Sequence, residues 1–442
     1  MKARLSMNKL SLSMALMAAA LSAAAVEQPT QIRGARALGM GDAFTAVADD
    51  QNVFFYNPAG SVQRTGSLAT LLDIPVTLSE DFVRFGKFVS DNETDLKNFT
   101  SLPPARQAEL ANKINTTLVK LRPTFGLGLP NTSYLSGPTA NHWHWGWGLF
   151  AQASGRLGFN PSVLVPSLYY DINADIVPML NIAKGWDGAL FLPGRLGLGV
   201  NVKYLRRGSA SDPNVSVLQL DNYNSPPLQM GSGLGLDAGL LYRPTDRWNV
   251  GVTLMDAGGT QLDFDSLDAK DGFAAKPARV SGIRQRVNVG LAWTPARLGI
   301  GPIGIPTGDR LLLAVDFRDI ANADSKTFFD GGVIADSAGK HIHLGAEYRW
   351  WFLRLRGGAN QGYSTVGGGL DLPLLKLDYA YYSDEVGAFA GNLKHSAHTV
   401  SLALRFGTGS TEGRERLKHK PAEKASDQTT PAPAADEQAK PE

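Results

Sequence analysis

The sequence predicts an all-β fold, a transmembrane antiparallel β-barrel of about fourteen strands with an N-terminal hatch inside the lumen. Three observations carry this. Apolar residues recur at every second position through most of the chain, long gaps between these runs alternate with short ones, and a compact small-residue segment precedes the first run.

The two ends differ from the rest. Lys2, Arg4 and Lys9 precede a short apolar run, Leu10 to Leu21, and Ala23 and Ala25 supply an A-x-A cleavage pattern. Residues 1–25 therefore read as a cleavable export signal, with the mature chain starting near Val26. The run is too short to span a bilayer, which takes roughly 20 residues. Export combined with a barrel places the protein in a bacterial outer membrane. At the other end, residues 407–442 hold almost no large apolar side chain and read as a disordered periplasmic tail. Between them lie the hatch, 26–66, and the barrel, 67–406.

Composition excludes several classes. The net charge of +2 leaves no basic footprint for nucleic acid, and the lack of cysteine removes disulfides, thiolate metal sites and a lipid-modified cysteine. A mean hydropathy of −0.13 is too polar for a bundle of membrane helices. The 48 glycines, many inside strand-like runs, exceed ordinary usage.

Four runs show the alternation plainly. Leu196, Leu198, Val200, Val202 and Tyr204 alternate with Gly197, Gly199, Asn201 and Lys203; Val287, Val289, Leu291 and Trp293 alternate with Arg286, Asn288, Gly290 and Ala292. Ile342, Leu344, Ala346, Tyr348 and Trp350 form a third apolar face, and Val400, Leu402, Leu404 and Phe406 a fourth. The test gives strands near 67–78, 122–130, 143–153, 166–178, 194–207, 234–243, 248–257, 286–294, 310–319, 341–350, 352–361, 364–372, 374–383 and 398–406. Most approach the roughly 9–11 residues of a tilted membrane strand. On the outward face charge falls only at strand ends, at Arg206, Asp256 and Asp319. The inward face carries Asp73, Lys203, Asp237, Asp316, Arg318, Glu347, Arg349, Arg354, Arg356, Asp371, Lys376 and Asp378.

Loop parity separates a membrane barrel from a soluble sandwich. With the first strand ascending, the long gaps 79–121, 208–233, 258–285, 320–340 and 384–397 all fall outside the cell. Short connections at Pro244–Arg247, Trp351 and Pro373 fall in the periplasm, as outer-membrane barrels require. Trp248, Trp293, Trp350 and Phe406 lie at periplasmic ends, where aromatic rings anchor. The first outer gap holds a helical stretch, Asp95 to Lys120, with Ala108, Leu110, Ile114 and Leu118 as its apolar face. It reads as a cover on the barrel rim or as part of a ligand entrance.

The hatch sequence from Gly34 to Gly60 is GARALGMGDAFTAVADDQNVFFYNPAG. Gly39 and Gly41 permit close backbone approach, and Asn57-Pro58-Ala59-Gly60 forms the turn before the first strand. Phe54, Phe55 and Tyr56 offer more apolar surface than a polar plug requires. They either wedge the hatch against the wall or line a pocket for an apolar ligand.

This block resembles the N-terminal signature of the FadL-like and PorV-like outer-membrane proteins, in Ala35-Arg36-Ala37-Leu38-Gly39-Met40-Gly41, Val47-Ala48-Asp49-Asp50 and Asn57-Pro58-Ala59-Gly60. The resemblance implies a fourteen-stranded barrel with a hatch, and one of two roles. FadL-like members pass hydrophobic small molecules, such as fatty acids or hydrocarbons, from the lumen sideways into the membrane. PorV-like members are secretion accessories that bind protein partners. The expectation is a monomeric diffusion channel for hydrophobic compounds, with the accessory role as the alternative. Its expected partners are outer-membrane lipid and a hydrophobic ligand, or secretion-system proteins in the alternative.

No enzyme, cofactor or metal is expected. His142 with His144, and His341 with His343, share strand faces, but no carboxylate spacing completes a metal site. Glycine pairs such as Gly197 and Gly199 are strand glycines, since no helix follows to make a phosphate loop. The mixed inward charge fits a plugged lumen better than an ion-selective pore, its members either facing solutes or pairing with the hatch.

Overall fold

Period-two runs become strands because alternate side chains then meet lipid and lumen, while every backbone group finds a partner on the next strand. The computed structural model describes residues 25–26, 32–64, 66–137, 143–160, 167–188, 193–216, 228–268, 275–298, 305–307, 310–320, 337–385 and 390–407. Fourteen antiparallel strands close into a barrel.

In chain order they are β1 (Leu68–Ser79), β2 (Thr124–Gly128 and Asn131–Leu135), β3 (Trp143–Asn160), β4 (Ser167–Asp187), β5 (Arg195–Ser216), β6 (Gln229–Thr245) and β7 (Trp248–Met255 and Thr260–Phe264). Then come β8 (Arg279–Ile283 and Arg286–Trp293), β9 (Leu311–Phe317), β10 (Ile342–Trp350), β11 (Leu353–Asn360), β12 (Tyr363–Asp371), β13 (Leu375–Glu385) and β14 (Lys394–Gly407). Each pairs with the next, and β14 closes on β1 with Val400 opposite Val76 and Leu402 opposite Ile74. Closure removes the open edge that lipid could not satisfy.

The lipid face matches the alternation. Leu198, Val200, Val202 and Tyr204 on β5, and Val400, Leu402, Leu404 and Phe406 on β14, are exposed, and the residues between them are buried. Trp248 and Trp293 sit opposite each other at the periplasmic ends of β7 and β8, rings stacked at 5.3 Å. All twelve inward charges predicted from alternation point into the barrel or toward its base; most are buried.

Four strands run far past a bilayer's thickness: β3 has 18 residues, β4 21, β5 22 and β6 17. In β3, β5 and β6 the sequence reading stops short at the outer end, where alternation fades although the hydrogen-bond ladder continues. In β4 it stops at 178, yet Leu180 and Ile182 still alternate with Asn181 and Ala183, so the connection expected at 179–193 is in large part strand. The gap 258–285 likewise holds the outer pieces of β7 and β8, which pair with each other. One outward assignment is wrong. Asp256 is buried, paired with Lys203 at 2.8 Å and with Arg286 at 3.3 Å. β7 breaks there, Asp256 adopting φ 51° and Gly258 φ 76°, so the side chain turns to the lumen.

The first outer loop folds into helices α2 (Glu80–Asp91), α3 (Glu93–Lys97) and α4 (Pro104–Thr117), α1 being a single turn in the hatch, Ala35–Gly39. The Ser79 hydroxyl caps α2 by accepting from Phe82 N at 3.1 Å, and Pro104 opens α4 where no N–H is needed. Leu110, Ile114 and Leu118 are buried against Phe88, Phe99 and Phe159 of β3. Ala108, expected on this face, is exposed, and Ala111 occupies it instead. The helices form a small core on the rim.

Besides the breaks in β7 and β8, the wall is irregular where β1 meets its neighbours. A bulge at Leu71 shifts the β1–β14 register, and β2 is interrupted at Leu129 and Pro130. The Asn131 side chain mends part of the ladder, accepting from Ala151 N at 2.7 Å. Pro75 in β1 adds a position without an N–H.

Leu198 is 45% exposed and faces lipid. Leu198→Arg is expected to cost roughly 2–4 kcal/mol near the midplane, and Leu198→Phe little. Equal losses for both in a lipid-refolding titration would refute the face assignment. Asn201, inward as alternation requires, is no free position for arginine: it is fully buried and donates to Phe54 O at 3.1 Å.

Candidate functional site: the plugged lumen

Residues 32–64 thread the lumen, and nearly every one is buried. Short side chains keep this segment thin, and its own side chains fold it. Asp50 accepts from Asn52 N at 2.9 Å, capping a turn over Gln51–Phe54. Asn57 accepts from Ala59 N at 3.0 Å, capping a second turn over Pro58–Gln63. These are Asx caps, made by residue types that compete well with backbone acceptors.

The glycine-rich strands have their explanation here. Hatch backbone lies directly on wall backbone, so the wall must lack side chains where they touch. A Cβ on Gly199 would stand 2.4 Å from Pro58 C, and one on Gly345 2.4 Å from Met40 O. On the hatch side, Gly41 has φ 63°, and its added Cβ would meet Leu344 O at 2.2 Å. Gly60 is bounded as tightly, by Ala48 O at 2.1 Å, and Gly39 more loosely, by Gly367 Cα at 3.1 Å.

Toward β9–β14 the hatch presents charge. Arg36 Nη1 donates to Asp49 at 2.6 Å and Asp50 at 2.9 Å, while its Nε and Nη2 grip both oxygens of Glu347 on β10 at 2.9 and 3.1 Å. Glu347 also accepts from Arg356 Nε at 2.9 Å, and Arg356 reaches Asp378 at 2.7 Å. Lys376 joins Asp378 at 3.1 Å and Asp50 at 3.7 Å, closing a ring of charges between hatch and wall. A second tether centres on Asp42, which takes Arg33 at 3.2 Å, Arg318 and the Tyr56 hydroxyl. Burial works to raise the Asp42 carboxyl, but Arg318 and Arg33 hold it at about 2. A third is Asp316, accepting from Phe44 N at 2.8 Å and Thr45 N at 2.7 Å.

Toward β3–β8 the hatch is apolar. Phe54 and Phe55 close on Phe150 of β3, ring centroids 5.2 and 4.7 Å apart, backed by Val177, Met179 and Leu205. Below them asparagines hold backbone: Asn57 Nδ2 donates to Leu240 O at 3.2 Å, and Asn181 Nδ2 to Pro58 O at 3.0 Å.

The predicted residues therefore divide. Phe54 and Phe55 come together at the wall, whereas Tyr56 turns away, packing on Phe44 and bonding Asp42. Asn57, Pro58, Ala59 and Gly60 form the turn and seat it on β4–β6. Sequence reasoning did not single out Arg36, Asp42, Asp49 and Asp50; four charges inside an otherwise small and apolar segment were the available signal. His341 Nδ1 lies 2.8 Å from Arg318 O and His343 Nδ1 3.0 Å from Gly41 O, so both serve the backbone; His142 lies outside the described residues. Among the described residues no group of three His, Asp or Glu is placed to hold a metal ion.

Little space remains. A cavity of about 30 Å³ lies between Phe55, Phe150 and Pro75 of β1, and one of about 10 Å³ between Phe54, Phe55 and Met179. These have room for a water molecule or a few, against roughly 300–1,000 Å³ for a small-molecule site. The lumen is shut.

No protein-family model and no curated protein matches the chain. Among solved structures it is similar to the P. putida toluene transporter TodX, at 12% identity and TM-score 0.47, covering 85% of this chain and 99% of that one. It is also similar to the Ralstonia pickettii toluene transporter TbuX, at 12% and 0.44 over 85% and 98%, and to a Pseudomonas aeruginosa FadL homologue, at 10% and 0.35 over 87% and 99%. At such identity and TM-scores, the fold rests on the strand pairing described above.

Loosening the turn should unseat the hatch while strand pairing is untouched. Asn57→Ala with Gly60→Ala is expected to raise the permeability of proteoliposomes to small polar solutes. Heat-modifiable migration should persist, showing an intact barrel. Swelling rates equal to those of the parent would show that the turn does not seal the lumen.

Proposed function

We propose that the protein is a bacterial outer-membrane channel for hydrophobic small molecules, sealed by its hatch until that segment moves. The observation that supports this most directly is the division of the hatch into two faces. Charged tethers hold one side to β9–β14. The other meets the wall through the Phe54–Phe55–Phe150 rings and aliphatic side chains, with neutral asparagine hydrogen bonds to backbone and, among the described residues, no ion pair from the hatch. An apolar solute arriving from outside would be taken up along the Phe54–Phe55–Phe150 contact, where it replaces apolar neighbours and strands no polar group. A polar solute would have to break buried ion pairs.

Phe55 borders both cavities, and the larger reaches Pro75 in the irregular region of β1 and β2. In this reading the solute leaves sideways through that part of the wall, into lipid. The domain scheme that accompanies it is export by residues 1–25, a hatch over 26–66, the barrel over 67–406 and a periplasmic tail over 407–442. The chemistry proposed here is passage, with no bond made or broken.

Phe54→Ala with Phe55→Ala is expected to reduce uptake of a hydrophobic probe such as a fluorescent fatty acid several-fold, with the barrel still heat-modifiable. Fatty acids and aromatic hydrocarbons should be tried side by side, since the ring cluster accepts either. Unchanged uptake of every apolar solute would overturn the transport reading. The secretion-accessory role, tested by co-purification of secretion components, would then take its place.

A further inference from the structure

Outside the lumen, one charged side chain stands in an apolar, lipid-facing patch. Lys184 lies near the periplasmic end of β4, directly opposite Trp143 of β3 and Leu198 of β5. Its outward neighbours Trp145, Leu180, Ile182 and Leu198 are all exposed and apolar. The Lys184 ammonium sits 5.0 Å from the ring centre of Trp143 and 5.4 Å from that of Trp186. The nearest acid in sequence, Asp187, is already taken by Arg195 at 3.2 Å.

Two indole faces attract an ammonium through their quadrupoles but accept none of its hydrogen bonds well. The three N–H donors still need oxygen, and on a surface packed against acyl chains the oxygens at that depth are those of lipid headgroups. Indole N–H groups of interfacial tryptophans add donors of their own at the same level. A phosphodiester with net negative charge meets both demands; a zwitterionic headgroup brings its own ammonium and meets them less well.

We propose that Lys184, Trp143 and Trp186 form a binding site for the phosphate of an anionic phospholipid in the periplasmic leaflet. The site rests on the outer-membrane reading but not on transport, since it lies on the opposite side of the wall from the hatch. It would fix the barrel's depth and rotation at the foot of β3 and β4, on the side of the wall where Phe150 meets Phe54 and Phe55.

The test is native mass spectrometry of the full-length barrel, released from micelles holding equal amounts of phosphatidylglycerol and phosphatidylcholine. The parent should retain phosphatidylglycerol over phosphatidylcholine roughly fivefold, as one interfacial lysine implies. Lys184→Gln should abolish the preference and Lys184→Arg should keep it, with heat-modifiable migration confirming that each variant is folded. Equal retention by the parent, or an undiminished preference in Lys184→Gln, would overturn the site and leave Lys184 a general interfacial anchor. Retention of neither lipid would count against the membrane reading itself, a result distinguishable from the first two.

Discussion

Everything inside the barrel depends on how Arg36 is neutralised. Its side chain is 1% exposed, and a guanidinium cannot shed its proton to escape the cost of burial. It needs acceptors on several sides, and they come from two places: Asp49 and Asp50 of its own segment, and Glu347 of β10. Satisfying it curls Val47–Asp50 back onto α1 and docks the hatch on β10. Glu347 is shared with Arg356, which leans on Asp378, which holds Lys376, which returns to Asp50. Removing one member leaves its neighbours buried with less compensation, so the ring is cooperative.

That arrangement divides the lumen. The charged ring and the Asp42 cluster lie toward β9–β14, and the aromatic contact lies toward β3–β8. Burial of charge makes one boundary stiff and specific in register. Ring packing makes the other tolerant of an apolar visitor, because dispersion contacts can be exchanged without leaving an unpaired donor. The bulge at Leu71 and the break at Leu129–Pro130 place an irregular stretch of wall beside Phe55. A route for hydrophobic solutes is more economical there than anywhere along the charged side.

Much of this was legible in the sequence, and the reasons differ by element. Lipid contact forces a strict period on β5, β8, β10 and β14, so Leu198, Leu291, Leu344 and Val400 reveal their faces without a structure. The same rule placed Glu347, Arg356 and Asp378 in the lumen but could not say what they met there. Their partners are up to hundreds of residues away, Arg36 and Glu347 being 311 positions apart. Alternation also fails where the backbone leaves strand geometry. Asp256 turned inward because a positive φ breaks β7, and the outer half of β5 was missed because its residues no longer alternate. In β4 the missed part is 179–187, which reads as a connection from sequence although Leu180 and Ile182 still alternate with Asn181 and Ala183. Ala108 was set on the helix face one turn too early, since Pro104 starts α4 and shifts its buried stripe to Leu110, Ala111 and Ile114. Phe54 and Phe55 were recognisable as excess apolar surface, whereas the hydroxyl of Tyr56 sent it to Asp42.

The central claim is that the buried charge ring around Arg36 anchors the hatch that closes the lumen. Single-channel conductance of Arg36→Met in planar bilayers tests it most directly. Methionine keeps much of the side chain's length and deletes its charge, leaving Asp49, Asp50 and Glu347 with a penalty of about 3–5 kcal/mol. The parent barrel should be silent, and Arg36→Met should show long-lived openings of a wide aqueous pore. A variant that inserts normally and stays as silent as the parent would contradict the account.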